Sequence, residues 1–135
     1  MPDSAVRSSR DVFELLLKSL ADRDLTTVNS LYAEDAVVRQ PFAKPAEVVL
    51  TGRAEIEQHL AGFLTAPITL SPRNIEVHET TDPQVVIGEW DIDVTRTTDG
   101  TTVTTHNIAV FCVRDGQVVW SRDYHDHAAM AGLLS

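Results

Sequence analysis

The chain has little positive charge and almost no cysteine. Its 135 residues contain 11 Lys and Arg against 20 Asp and Glu, which gives a formal net charge of -9. Nucleic acids and anionic membranes are bound by clustered Lys and Arg, so this balance argues against both kinds of partner. Cys112 is the only cysteine and cannot form an internal disulfide. Its apolar neighbours predict a buried thiol.

Long hydrophobic runs are also missing. No stretch approaches the roughly 20 apolar residues that a membrane-spanning helix needs, and no charged-then-apolar leader is found at the start. We therefore expect a soluble, cytoplasmic protein. The hydrophobic fraction of 43% is ample for one core, which predicts a single domain over 1–135 with polar, frayed residues at 1–7.

The first half of the chain has the spacing of helices. From about Ser9, a candidate N-cap, apolar residues recur every three or four positions up to residue 20. Asp24 predicts the start of a second, short helix ending near 34–35, and a third helix is predicted at 54–64. Between them, a short extended segment at 36–39 is stopped by Pro41, and a loop carrying Phe42 follows.

The second half alternates as strands do. Strands are predicted at 74–79, 85–95 and 101–114, and a last strand starts at Gln117. The Asp-Gly pairs at 99–100 and 115–116 predict hairpin turns. Helices followed by an antiparallel meander predict an α+β domain with helices on one face of a curved sheet.

The last strand carries the best site candidates. Ser121, Asp123 and His125 alternate and so share one face, where a carboxylate and an imidazole could serve acid/base chemistry. Asp123, His125 and His127 could instead hold zinc or iron. Against that, Asp126 has the features of the N-cap of a C-terminal helix, which would turn His127 away.

Four segments in this order, 31–37, 52–53, 115–119 and 122–126, resemble the SnoaL-like branch of the nuclear-transport-factor-2-like superfamily. The resemblance implies a cone-shaped curved sheet, a cystatin-like roll, wrapped around the N-terminal helices and an apolar cavity. It also implies a homodimer through the convex sheet face. Its members include ketosteroid isomerases, limonene-epoxide hydrolases, polyketide cyclases and proteins that only bind, so the fold does not decide the reaction.

Several catalytic positions of ketosteroid isomerases are not kept. The position of their catalytic Asp, before Pro41, reads Gln40. The positions of their oxyanion-hole Tyr and second donor acid fall near Leu16 and Ala109. The resemblance therefore does not imply the isomerase reaction of that group.

The pattern of limonene-epoxide hydrolases is kept in part. Asp91 stands where their Arg-x-Asp pair has Arg, whereas Asp93 and Asp123 keep two carboxylates. Their first-strand Tyr and Asn positions read Val38 and Gln40. From this match, together with the place of His125 beside Asp123 on one strand face, we expect Asp93, Asp123 and His125 to be catalytic.

Strand alternation then assigns the two sheet faces. If Asp93 and Asp123 point into the cone, we expect substrate contacts from the following residues: Leu16, Tyr32, Gln40, Phe42, Phe63, Glu89, Asp91, Asn107 and Ser121. The opposite face would form the homodimer interface through Trp90, Ile92, Ile108, Val110, Trp120 and Tyr124.

The leading hypothesis is an acid/base enzyme without cofactor or metal, of cyclase, isomerase or epoxide-hydrolase type, that acts on a hydrophobic oxygenated substrate. Asp123 or His125 would be the base, Asp93 the acid or orienter, and Asn107 a hydrogen-bond donor to a carbonyl. The alternative is a non-catalytic ligand-binding or accessory subunit of the same fold. A metal-dependent enzyme using Asp123, His125 and His127 is the third hypothesis.

Overall fold

The computed structural model describes residues 6–134, and the part of the predicted frayed segment at 1–5 lies outside them. Four helices and six strands follow one another in this order: α1 Ser9–Ala21, α2 Leu25–Ser30, β1 Tyr32–Gln40, β2 Val48–Thr51, α3 Arg53–Leu64, β3 Ile68–Glu79, β4 Val85–Arg96, β5 Thr102–Arg114, β6 Gln117–Tyr124 and α4 His127–Leu134. The predicted α+β class is confirmed. None of the described helices is long and apolar enough to cross a membrane.

The six strands form one curved sheet in the order β2-β1-β6-β5-β4-β3. All neighbours pair antiparallel except β1 and β6, which pair parallel and so bring the first strand of the chain beside the last. The second helix ends at Ser30, not at the predicted 34–35, and β1 begins at Tyr32. Strand β2 was not predicted.

Short polar side chains begin three of the helices. The Ser8 hydroxyl accepts a hydrogen bond from Asp11 N, one residue before the predicted cap, and the Asp24 carboxylate accepts one from Thr27 N. At α4, the Asp126 carboxylate accepts from Ala129 N at 3.2 Å, as the sequence predicts. These caps determine where each of the three helices begins.

Tight turns and one glycine position the strands. Arg114 pairs with Gln117, so Asp115 and Gly116 form a two-residue hairpin with φ values of 51° and 75°, which suit a type I′ turn. Gly52 has a φ of 88° and donates its N–H to Ala36 O at 2.7 Å where α3 begins. The sheet thus holds the start of α3 against β1.

The main core lies between α1 and the concave face of the sheet. Phe13 is its central aromatic ring, with centroids 5.4 Å from Trp90 and 5.5 Å from Phe111. A smaller cluster of Ile68, Val94 and Leu133 packs α4 onto the other end of the sheet. Cys112 is buried as predicted, and burial raises the pKa of its thiol.

Candidate functional site

A cavity of about 420 Å³ opens between the concave face of the sheet and helices α1, α3 and α4. Pockets of this size hold small organic molecules. Most of its wall is aliphatic or aromatic. The polar or ionisable side chains in the wall are Tyr32, Gln40, His59, Thr105, Asn107, Asp123, His125 and His127, with the indole N–H of Trp90.

One carboxylate and one imidazole lie close together in the cavity wall at the end of β6. Asp123 is 8% exposed, and its Oδ2 lies 3.8 Å from His125 Nε2. Its other oxygen, Oδ1, is buried without a hydrogen-bond partner among the described residues. An unpaired buried carboxylate oxygen is costly, which is typical of a site that a ligand completes.

The second ring nitrogen of His125 is held by a chain of hydrogen bonds along β5. His125 Nδ1 lies 3.1 Å from Asn107 Oδ1, and Asn107 Nδ2 donates to Thr105 Oγ1 at 3.1 Å. Thr105 Oγ1 donates to the backbone oxygen of Ile92 at 3.3 Å. The imidazole is therefore attached to the backbone of β4 through two side chains.

Tyr32 is a buried residue of the cavity wall near the Asp123 carboxylate. Burial raises the pKa of its hydroxyl, and the negative charge of Asp123 raises it further. The phenol therefore stays protonated and neutral. The backbone oxygen of Tyr32 accepts a hydrogen bond from Arg53 Nε at 2.9 Å, so the first residue of α3 is bonded to the first residue of β1.

His127 lies in the cavity wall. It is the first residue of α4, and its ring centroid lies 5.9 Å from that of His125. Its Nε2 is buried without a hydrogen-bond partner among the described residues. Burial lowers the pKa of its imidazole, and the neighbouring His125 lowers it further. The prediction that the helix turns His127 away from the site is wrong.

Asp123, His125 and His127 do not converge on one point. Within residues 6–134, no three His, Cys, Asp or Glu side chains are grouped so that they could hold a metal ion. The metal-dependent hypothesis therefore has no ligand set in the described part of the chain.

The predicted face of β4 is wrong. Opposite residues of paired strands share a face, and Trp90 pairs with Asn107 while Asp91 pairs with His106. Trp90 and Ile92 therefore line the cavity, and Glu89, Asp91 and Asp93 lie on the outer face. A shift of one position moves every side chain of a strand to the other face.

The three outer carboxylates are paired with neighbours on that face. Arg73 Nε donates to Asp93 Oδ2 at 2.9 Å, and Thr104 Oγ1 donates to Asp93 Oδ1 at 2.7 Å, which together hold the pKa of Asp93 below its usual range. The other two pairs are Asp91 with Asn74 and His106, and Glu89 with His78. Their predicted place in the cavity, and with it a catalytic role for Asp93, does not hold.

The remaining predicted contact residues fall into two groups. The cavity wall contains Leu16, Tyr32, Gln40, Phe63 and Asn107, whose role in binding substrate stays a prediction. Ser121 is fully buried outside the wall, whereas Phe42 is 63% exposed and packs against Tyr124 with ring centroids 5.1 Å apart.

Four of the six residues predicted for the dimer face lie on the outer face of the sheet. Ile108, Val110, Trp120 and Tyr124 lie on the outer face, where the Arg122 guanidinium stacks 4.7 Å from the Trp120 ring centroid. Trp90 and Ile92 do not, because they line the cavity. A homodimer through the outer face stays a prediction.

Sequence reasoning missed Trp90 as a cavity residue. Its indole ring is 5% exposed, and its centroid lies 6.2 Å from that of His125. Its Nε1 is buried without an acceptor among the described residues. The alternation of apolar residues at 86, 90, 92 and 94 with acidic ones at 89, 91 and 93 is the signal that could have found it.

Comparisons with known proteins agree with this geometry. A family model described as a SnoaL-like domain matches residues 13–121. An uncharacterized PhzA/B-like protein of Pseudomonas aeruginosa is 27% identical over 118 residues, which are 87% of this chain and 83% of that protein.

Two solved structures show the same fold. A candidate isomerase from Bacillus subtilis has a TM-score of 0.81 and 24% identity, covering 92% of this chain and 93% of its own. A candidate polyketide cyclase from Xanthomonas campestris pv. campestris has a TM-score of 0.77 and 18% identity, covering 94% and 96%. With the family model spanning most of the chain, the protein belongs to the SnoaL-like family of the nuclear-transport-factor-2-like superfamily.

Proposed function

We propose that the protein is an acid/base enzyme that moves protons on a hydrophobic, oxygen-bearing small molecule and needs no bound cofactor. One observation carries the proposal: a buried carboxylate and an imidazole, 3.8 Å apart, stand in the wall of an otherwise largely apolar cavity. Charges inside such a wall are poorly screened, so a carboxylate there acts strongly on charge that develops nearby.

The chemistry that fits this pair is proton transfer next to a carbonyl. The Asp123–His125 pair would take a proton from the carbon beside the carbonyl and return it to another atom of the same molecule. Such a transfer yields an isomer or closes a ring, and no electrons leave the substrate. Epoxide hydrolysis with two cavity carboxylates is less well supported, because Asp93 lies on the outer face.

The test uses hydrogen exchange, since it needs no knowledge of the natural substrate. The protein is incubated in D2O with 1-indanone and 1-tetralone, and deuterium uptake beside the carbonyl is followed by mass spectrometry. We expect the wild type to accelerate uptake and Asp123→Asn to lower that acceleration by about 10²-fold or more. Asp93→Asn is the matched control, because the same change on the outer face should leave the rate unaltered. Equal rates for wild type and Asp123→Asn would refute the proposal.

A second candidate function is ligand binding without catalysis, as an accessory subunit. It is favoured by the outward position of Asp91 and Asp93, which leaves Asp123 as the carboxylate of the cavity wall among the described residues. This candidate predicts that native mass spectrometry finds a retained small molecule, and that the chromatographic retention and fragmentation spectrum of this molecule are unchanged after long incubation. If the wild type converts that molecule and the Asp123→Asn variant does not, a purely binding role is excluded.

A further inference from the structure

We infer that Thr105 and Asn107 are positioning residues that hold His125 as its Nδ1–H tautomer, so that Nε2 is the proton acceptor in the cavity. The chain of contacts from Ile92 O to His125 Nδ1 carries the inference. Its meaning for catalysis rests on the proposed function, but the tautomer itself exists without substrate and can be measured alone.

This series of hydrogen bonds begins at a backbone oxygen, which can only accept a hydrogen bond. The backbone oxygen of Ile92 has no hydrogen, and it lies 3.3 Å from Thr105 Oγ1. Because a hydroxyl has one hydrogen, Thr105 Oγ1 donates that hydrogen to Ile92 O. Thr105 is 3% exposed, so bulk water does not compete for the bond.

The direction of this first bond determines the orientation of the Asn107 amide. With its hydrogen already used, Thr105 Oγ1 can only accept, and its partner at 3.1 Å must be the amide nitrogen of Asn107. A flipped amide would place two acceptors against each other. Asn107 Oδ1 therefore faces His125.

The amide in turn determines the tautomer. Asn107 Oδ1 only accepts, so His125 Nδ1, 3.1 Å away, must carry the hydrogen. A neutral imidazole has one N–H, which leaves a lone pair on Nε2. The sequence suggested that Asn107 binds a substrate carbonyl, whereas the structure gives it a role through His125.

The distance between Asp123 and His125 indicates the role of Asp123 in the proton transfer. Its Oδ2 lies 3.8 Å from His125 Nε2, too far for a good hydrogen bond but close enough for a strong charge interaction. When Nε2 takes a proton from the substrate, the imidazolium that forms gains an adjacent negative charge. His125 is thus the base, and Asp123 stabilises its charged form.

The test is side-chain 15N NMR of the full chain without ligand at pH 8, where an ordinary histidine, with a pKa of about 6.5, is neutral. Long-range 1H–15N correlations distinguish the two tautomers, and His125→Gln identifies the His125 signals. We expect the Nδ1–H pattern in the wild type. Thr105→Val should add the Nε2–H form, because the Asn107 amide is then free to rotate.

Two further variants sharpen the test. Thr104→Val is the matched control, since that hydroxyl bonds Asp93 on the outer face and its loss should leave the His125 pattern unchanged. Asn107→Asp should keep the Nδ1–H form, because a carboxylate still accepts from Nδ1, whereas Asn107→Leu should lose it. Two results would overturn the inference even if the protein catalyses deuterium exchange. One is a wild-type spectrum that shows the Nε2–H tautomer, and the other is a Thr105→Val spectrum identical to that of the wild type.

Discussion

Gly88→Ala should destabilise the protein, although strand propensity predicts the opposite. Alanine normally stabilises a strand interior relative to glycine by roughly 0.5–1 kcal/mol, because it loses less backbone entropy. At this position an added Cβ would lie 2.2 Å, 2.5 Å and 2.7 Å from three ring carbons of Phe13. Ordinary van der Waals contact begins at 3.4 Å, so the ring must retreat by more than an ångström.

The ring has little room to retreat. Phe13 is 1% exposed and packs between Trp90 and Phe111, which are themselves 5% and 4% exposed. Inserting a methyl group into a core of this kind costs about 1–3 kcal/mol. The free energy of unfolding should fall by that amount, seen as a lower urea midpoint at an unchanged m-value.

Two controls separate this clash from a general effect of the substitution. Gly62→Ala makes the same change inside α3, where nothing lies within 4 Å of the new Cβ, and should stabilise by about 0.5–1 kcal/mol. Combining Gly88→Ala with Phe13→Leu removes the far ring atoms, so the pair should cost less than the sum of the two single changes. A Gly88→Ala protein as stable as the wild type, or an additive pair, would contradict the packing described above.

Two further predictions concern charge in the cavity. Among the described residues, no Lys or Arg lies in the cavity wall to pair with an anion. At pH 8 the neutral ester methyl 2-naphthoate should therefore quench the fluorescence of Trp90 at a lower concentration than the anion 2-naphthoate does. The measurement uses a Trp120→Phe background, so that Trp90 is the tryptophan observed. Asp123→Asn should narrow that difference, and tighter binding of the anion to the wild type would contradict the expectation. Burial favours the neutral form of His127 in the folded protein, so the unfolded chain binds the proton more readily. The free energy of unfolding should therefore fall as the pH drops below about 6.5. In urea titrations at several pH values, His127→Gln should show a smaller fall than the wild type. A His127→Gln protein with the same pH dependence as the wild type would refute this cause.

The elements with strong local signals were predicted well. Strands β4, β5 and β6 follow from alternation and two Asp-Gly turns, and α1 follows from its apolar spacing. The end of α2 was predicted too late in the chain, at 34–35, because Leu31 and Tyr32 continue the helical spacing of their neighbours. Tyr32 instead pairs with Val118 across the sheet, a contact that only the tertiary fold provides.

The site was predicted in part for a related reason. Asp123 and His125 were assigned from the alternation of their own strand, and the structure places both in the cavity wall. Asp93 was assigned by the family resemblance, against the local alternation in which Val86, Trp90 and Val94 form the buried face. Where the two disagreed, the burial of apolar side chains decided the face.

The parallel pairing of β1 with β6 has a consequence for how the chain folds. Val37 and Trp120 are partners in that pairing, yet β2, α3, β3, β4 and β5 lie between them in the chain. Contacts between such distant segments form slowly, since the entropy of closing a long loop is lost before any contact is gained. Tyr32, Val38 and Gln40, which β1 contributes to the cavity wall, should therefore reach Asp123 late in folding, after the hairpins of β3, β4, β5 and β6 have formed. A partly folded chain would have most of the sheet but an incomplete site.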